Sequence, residues 1–473
     1  MEQLTTLDAG FLEAEDSDRH ISLAIGGLVI LEGPPPDYEL LETTLGARLS
    51  ALPRFTQKLH VHPFDLTPPR WEEDPDFDLM HHLHRVALPR PGDDAELFGF
   101  VGDQMARRLD RDRPLWQIWV IEGLSDDRWA LLMKVHHCVG DGIAISQLFT
   151  RLCDNGNVAS FADHIRGTHE AEAAGFRLPM PNPSDFNPAN WMAGLWNTST
   201  ALGSAAARAA RGAVELSAGL LSSSASTSLN GPITTMRRFS AAKVSLEDIH
   251  QVCRAFDVTV NDVALAALTE GYRGMLTRRG EPLLPESMRT LVPVSVRSSD
   301  AFGETDNRVS VMLPYLPVEE ENPVLRLRLV HSRLTRTKST GQRQAGSAFV
   351  SAANYLPFTL TAWAVRLLTR LPQHGVTTLA TNVPGPSETL HMLGRKVIGL
   401  LPVPPLALQL RTGVAMLSYA DNLFFGVIAD FDTMPDVDEF ARSIETAVAR
   451  LVASSKHRKG SRGRRGLSLI ATG

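Results

Sequence analysis

Trp129-Ala-Leu-Leu-Met-Lys-Val-His136-His137-Cys138-Val139-Gly140-Asp141-Gly142-Ile143-Ala144 decides how the rest of the chain is read. An apolar run with the length of a buried strand ends at two histidines. Ile143, Gln147, Leu148 and Leu152 then recur at helical spacing, which predicts a helix over Gly142 to Cys153. The histidines therefore stand where a strand hands over to a helix. An imidazole with an ordinary pKa near ~6.5 can take a proton at neutral pH and return it within a turnover, so it suits a general base. Successive strand residues point to opposite faces, so one histidine can meet a substrate while its neighbour packs. Asp141 lies just beyond His137 between Gly140 and Gly142, glycines that let the backbone turn or approach closely. It can orient His137 or pin the loop through an arginine elsewhere, and the intervening turn favours pinning. Two other readings of the same pattern are a pair of core histidines closing a strand and a His-His-x-x-x-Asp metal ligand set.

Length and composition narrow the field. A chain of 473 residues exceeds one ordinary core and predicts two domains. The balance of 47 Lys+Arg against 53 Asp+Glu, a formal net of -6, argues against nucleic acid as a partner. Cys138, Cys153 and Cys253 form no Cys-x-x-Cys pair, which fits a reducing cytoplasm. Met1-Glu2-Gln3-Leu4 lacks the basic and apolar regions of an export signal, and no apolar run reaches the ~18 residues of a membrane span.

Along the chain, Leu4 to Leu12 reads as a short capped helical turn, Ile21 to Leu31 as a strand and Tyr38 to Leu49 as a helix. The cluster His81-His82-Leu83-His84 has no carboxylate or cysteine at ligand spacing and reads as a solvent-edge histidine run. Ala95 to Leu109 is a predicted helix, followed by Pro114-Leu115-Trp116 and a strand from Gln117 to Glu122. Strands alternating with helices predict an α/β sandwich. Residues 155–230, rich in Ala, Ser, Gly and Asn, read as a linker or crossing segment. Trp191 to Leu221 within it is a weakly amphipathic helix that could pack or lie on lipid. Order resumes with a strand over Arg237 to Val244 and helices over Leu246 to Phe256 and Val260 to Leu268, where Asn261 or Asp262 would serve as N-cap. Strands over Leu291 to Arg297 and Asn307 to Pro314 precede a basic helix, Val324 to Thr337. Tyr355 to Leu371 reads as a core helix or channel wall, and Thr381 to Pro386 as a fixed turn. A hairpin over Gly413 to Asp430 and a helix over Val437 to Ala453 come before a basic, disordered tail, 455–473, that could touch anionic lipid.

The blocks Leu4-x-x-Leu7-Asp8-x-x-Phe11, Pro53-Arg54-Phe55, Pro114-Leu115-Trp116, His136-His137-x-x-x-Asp141-Gly142, Leu229-Asn230-Gly231-Pro232, Val260-Asn261-Asp262-Val263, Asn307-Arg308 and Asn382-Val383-Pro384-Gly385-Pro386 run in order through nearly the whole chain. In this the chain resembles the bacterial wax ester synthase/acyl-CoA:diacylglycerol acyltransferases. The histidine motif alone also occurs in peptide condensation domains and other acyltransferases of the chloramphenicol-acetyltransferase-like fold. The resemblance implies two such α/β domains, at 1–154 and 231–454, with the active site in a tunnel between them. It implies His137 as base, His136 as support, Asp141 and Gly142 holding the loop, and Asn261-Asp262 at or near the site. Pro114, Leu115 and Trp116, and Asn382, Pro384 and Gly385, are the implied substrate-channel residues. The implied reaction passes a long-chain acyl group from acyl-CoA to diacylglycerol or a long-chain alcohol, with no cofactor or metal and no acyl-enzyme. It would take place in the cytoplasm, at the inner membrane face or on lipid inclusions. The competing implication is a lipid-surface binding protein that keeps the fold with little catalysis.

Overall fold

The nearly continuous apolar run Ala24–Glu32 forms β1, buried until its last residue, as expected of a strand covered on both faces. A computed structural model places it between two antiparallel neighbours, and describes residues 2–61, 67–156, 227–295, 309–339, 375–407 and 409–468. Nearly all of the crossing segment, the stretch Tyr355 to Leu371 and the pair Asn307-Arg308 lie outside the described residues.

Before β1 comes helix α1 (Thr6–Ser17), longer than the single turn predicted, with Thr5 as N-cap. Helix α2 (Tyr38–Ser50) and a small ribbon of β2 (Gln57–His60) with β3 (Arg70–Glu73) follow. Then come β4 (Leu83–Ala87), α3 (Asp94–Ala106), β5 (Trp116–Leu124), β6 (Arg128–His136) and α4 (Gly142–Leu152). The second half starts with β7 (Arg237–Ser245), α5 (Leu246–Phe256), α6 (Val260–Arg278), β8 (Thr290–Ser295), β9 (Val309–Met312) and α7 (Pro323–Ser339). It continues through β10 (Thr378–Val383), β11 (His391–Met392), β12 (Arg395–Val403), β13 (Thr412–Tyr419), β14 (Asn422–Asp430) and α8 (Val437–Ser468).

Among the described residues two six-stranded sheets result, ordered β11-β12-β1-β6-β5-β4 and β7-β14-β13-β10-β8-β9. The first corrects the expected boundaries. Strand β12, unmarked in the sequence reading, leaves the second half to pair with β1, Leu401 opposite Leu28, so 1–154 does not build its sheet alone. The second sheet is apolar on both faces. Leu423, Phe425, Val427 and Ala429 enter the core under α6 and α8, while Phe424 and Ile428 enter the core shared with the first sheet. Gly426 permits the crossing, because a Cβ there would lie 1.6 Å from the Pro402 carbonyl oxygen of β12.

Two further expectations are corrected. His82 is not at the solvent edge. It is 3% exposed, stacks on Trp116 at 4.6 Å and shares a 2.8 Å hydrogen bond with the Trp116 carbonyl. The final helix runs on to Ser468, so most of the tail expected to be disordered is helical. No proline interrupts it, and lysine and arginine both favour helix. Among the described residues, no helix is long and apolar enough to cross a membrane.

Candidate active site

Strand β6 fixes both histidines by the backbone. The His136 N–H donates to Leu115 O at 3.0 Å, and the His137 N–H donates to Leu23 O at 3.0 Å, so neighbouring strands hold the pair from either side. Strand alternation then separates the rings: His136 is 1% exposed, while His137 keeps partial access. The His137 ring stacks on Phe11 of α1, with centroids 4.2 Å apart. Burial pushes its pKa down to about 4; the charge of His136 adds to this, and a backbone hydrogen bond opposes it. At neutral pH the ring is therefore an uncharged proton acceptor.

Behind it lies a buried polar cluster. His136 Nδ1 accepts the Cys138 N–H at 3.2 Å and faces Cys138 Sγ at 3.0 Å. Burial holds that thiol well above its ordinary pKa, so it stays protonated. His136 Nε2 faces Glu15 Oε2 at 3.6 Å, too long for a closed hydrogen bond but close for a charge beside a dipole. Glu15 is 1% exposed, accepts the Leu23 N–H at 2.9 Å and pairs with Arg111 at 2.9 Å. Burial alone would raise its pKa; the His136, Arg111 and Leu23 contacts outweigh that and bring it down to about 2. Lys134, also fully buried, donates to Gln104 O at 2.8 Å and to Arg107 O beyond the end of α3. Burial lowers it to about 7 against the attraction of Glu15.

Asp141 pins the loop by capping. Its carboxylate accepts the Ala144 N–H at 2.9 Å as N-cap of α4. Gly142 is already helical; its lack of a side chain serves close approach, since a Cβ would lie 2.9 Å from Val383 Cγ2 on β10. The turn of the second sheet thus abuts the histidine loop. Strand β10 runs on to Val383, through the first part of the expected turn, so Asn382 is an exposed strand residue, while Gly385 beyond it donates to Ser418 Oγ at 3.1 Å and presses on the Ser418 carbonyl. A cleft of about 580 Å³ runs beside the loop on the first lobe, between Val139, Gly140, Ile145 and Leu148 on one side and Pro53 and Phe55 on the other.

Pro114, Leu115 and Trp116 are buried. Trp116 Nε1 donates to Phe55 O at 2.9 Å, so this block braces β6 and the cleft wall from behind. Asn261 and Asp262 open α6 in the second lobe. Thr259, not either of them, is the N-cap of α6, and Asp262 closes a reciprocal capping box with it. The same carboxylate meets His331 Nδ1 of α7 at 2.8 Å, so Asp262 ties α6 to α7 within the second lobe. Glu15 and Arg111 carried no role in the sequence reading. The available signal was a helix placing Asp8 and Glu15 on the same side as Leu12.

The chain matches the wax ester synthase/diacylglycerol acyltransferase catalytic domain over residues 4–264 and the C-terminal domain of that family over 305–451. It is 57% identical to a Mycobacterium tuberculosis protein named as a diacylglycerol O-acyltransferase, over 99% of this chain and 100% of that one. An Acinetobacter baylyi O-acyltransferase is 26% identical over 95% of this chain and 96% of its own. The solved wax ester synthase/diacylglycerol acyltransferase of Marinobacter aquaeolei superposes with a TM-score of 0.66 at 26% identity, covering 96% of this chain and 100% of that one. A condensation domain of the calcium-dependent antibiotic synthetase shares the fold, with a TM-score of 0.58 at 13% identity, 94% of this chain and 96% of that one.

Proposed function

The chain belongs to the wax ester synthase/diacylglycerol acyltransferase family, and on that premise we propose that His137 is the general base of its acyl transfer. The donor is a long-chain acyl-CoA and the acceptor the hydroxyl of diacylglycerol, with long-chain alcohols as second acceptors. His137 removes the hydroxyl proton as the oxygen attacks the thioester carbon, and the imidazolium returns that proton to the departing CoA thiolate. The observation that carries this reading is a single accessible, neutral imidazole at the junction of β6, α4 and β10. The positive end of α4 lies in the same loop and favours the oxyanion formed on attack.

Transfer is direct. Cys138, the nearest thiol, is buried, protonated and turned toward His136, so it is poorly placed as a nucleophile. No cofactor enters, because the thioester is itself the activated group. Asp141 and Gly142 hold the loop, and substrates reach His137 from the cleft and from the seam between the lobes. The enzyme would meet its lipid acceptor at a membrane face or lipid inclusion, helped by the basic residues late in α8. Flotation with anionic against neutral vesicles tests that part.

The deciding assay gives the purified protein labelled palmitoyl-CoA with dioleoylglycerol or hexadecanol. His137→Ala should lose about 10²- to 10⁴-fold in rate. Equal product from both proteins removes His137 from the mechanism, and no product from either leaves a lipid-binding protein of this fold.

A further inference from the structure

We propose that Glu15 is a positioning residue for acyl transfer, fixing the tautomer of His136 and the backbone of His137 through one buried carboxylate. The inference rests on His137 being the base.

The argument starts from hydrogen positions. The Cys138 N–H donates to His136 Nδ1 at 3.2 Å, and the Cys138 sulfur lies 3.0 Å from the same nitrogen. That nitrogen must offer its lone pair, so the ring hydrogen sits on Nε2. Nε2 is buried and points to Glu15 Oε2 at 3.6 Å. The opposite tautomer would set an N–H against the Cys138 N–H and a lone pair against a carboxylate. An anionic Glu15 therefore selects one ring state.

The other carboxylate oxygen reaches the second histidine by the backbone. Oε1 accepts the Leu23 N–H at 2.9 Å, and Leu23 O accepts the His137 N–H at 3.0 Å. Both histidines thus refer to one side chain, which Arg111 holds in turn at 2.9 Å while also pairing with Asp16 at 2.8 Å. A carboxylate 1% exposed is an expensive element for a fold that could place an apolar side chain there. Its geometry fits orientation of the motif.

Glu15→Gln keeps the shape but offers one acceptor oxygen and adds two N–H groups, which cannot serve Leu23, His136 and Arg111 together. With palmitoyl-CoA and dioleoylglycerol, kcat should fall about 10- to 100-fold with KM for palmitoyl-CoA unchanged. Glu15→Asp should recover part of the loss. The readout that a merely structural role would not move is the cycle with His136→Ala. If Glu15 acts through His136, the double variant is no slower than the slower single one, whereas multiplied losses overturn the proposal. Should Glu15→Gln fail to fold, Glu15→Asp carries the same cycle. Activity lost in His137→Ala but kept within about twofold in Glu15→Gln overturns this proposal alone. Activity kept in His137→Ala overturns the reading it rests on.

Discussion

The starts of α4 and α6 carry related local chemistry, a carboxylate that closes a helix start by accepting a backbone N–H, and they do different work. Asp141 caps α4 one turn from His137, where Gly142 lets β10 of the other sheet approach. Asp262 closes a capping box with Thr259 and reaches His331, all inside the second lobe. A carboxylate at a helix start is thus no sign of a site by itself. What distinguishes α4 is the strand before it, which delivers an accessible histidine to the contact between the lobes.

That contrast can be broken experimentally. The largest effect belongs to His137→Ala, a loss of about 10²- to 10⁴-fold in the acyl-transfer assay, because the variant lacks the proposed general base. Next, Gly142→Ala pushes a methyl to 2.9 Å from a stiff β-branched side chain and should cost about tenfold in kcat, with Val383→Ala in the same chain restoring most of it. Failure of that rescue would mean that the two lobes do not meet there during turnover. Asp141→Ala should lose about 1 kcal/mol in denaturant unfolding and also lower kcat, since the cap and the loop are one structure. Asp262→Ala should lose about 1–3 kcal/mol of stability, with kcat of the folded protein within about twofold. A large kcat loss there without a stability loss would overturn the division between the two helix starts.

The smallest effects are those of pH. His137 is held below its ordinary pKa, so its base form persists as pH falls and activity declines only toward about 4. The unfolded chain binds that proton first, so the contribution of His137 to stability is complete above its unfolded value near ~6.5 and is lost as pH falls through about 4. Glu15 acts in the same direction lower down, its contribution complete above its unfolded value of 4.5 and lost toward about 2. Stability of wild type against His137→Ala between these limits checks the sign.

Much of this was legible in the residues. The apolar run ending at His136, the helical spacing after Gly142 and the hairpin through Ala420 depend on neighbours a few residues apart, and each element appears within a few residues of its expected place. Strand β12 was not legible, because its apolar residues gain meaning only from β1, far away in sequence. His82 misled because a histidine cluster looks polar, whereas one ring lies flat on Trp116. Glu15 was hidden for the opposite reason, as an acidic residue on a short helix reads as solvated until Arg111 and Leu23 close around it.

The sequence by itself determined the strand-to-helix turn bearing His137, the two α/β lobes and the family, since periodicity, turn chemistry and motif spacing are short-range. Only the tertiary structure decided that β12 completes the first sheet, that Asp262 ties α6 to His331 of α7 and that Glu15 stands behind His136. Those facts depend on which surfaces bury one another, and burial sets the charge and hydrogen position of a buried group.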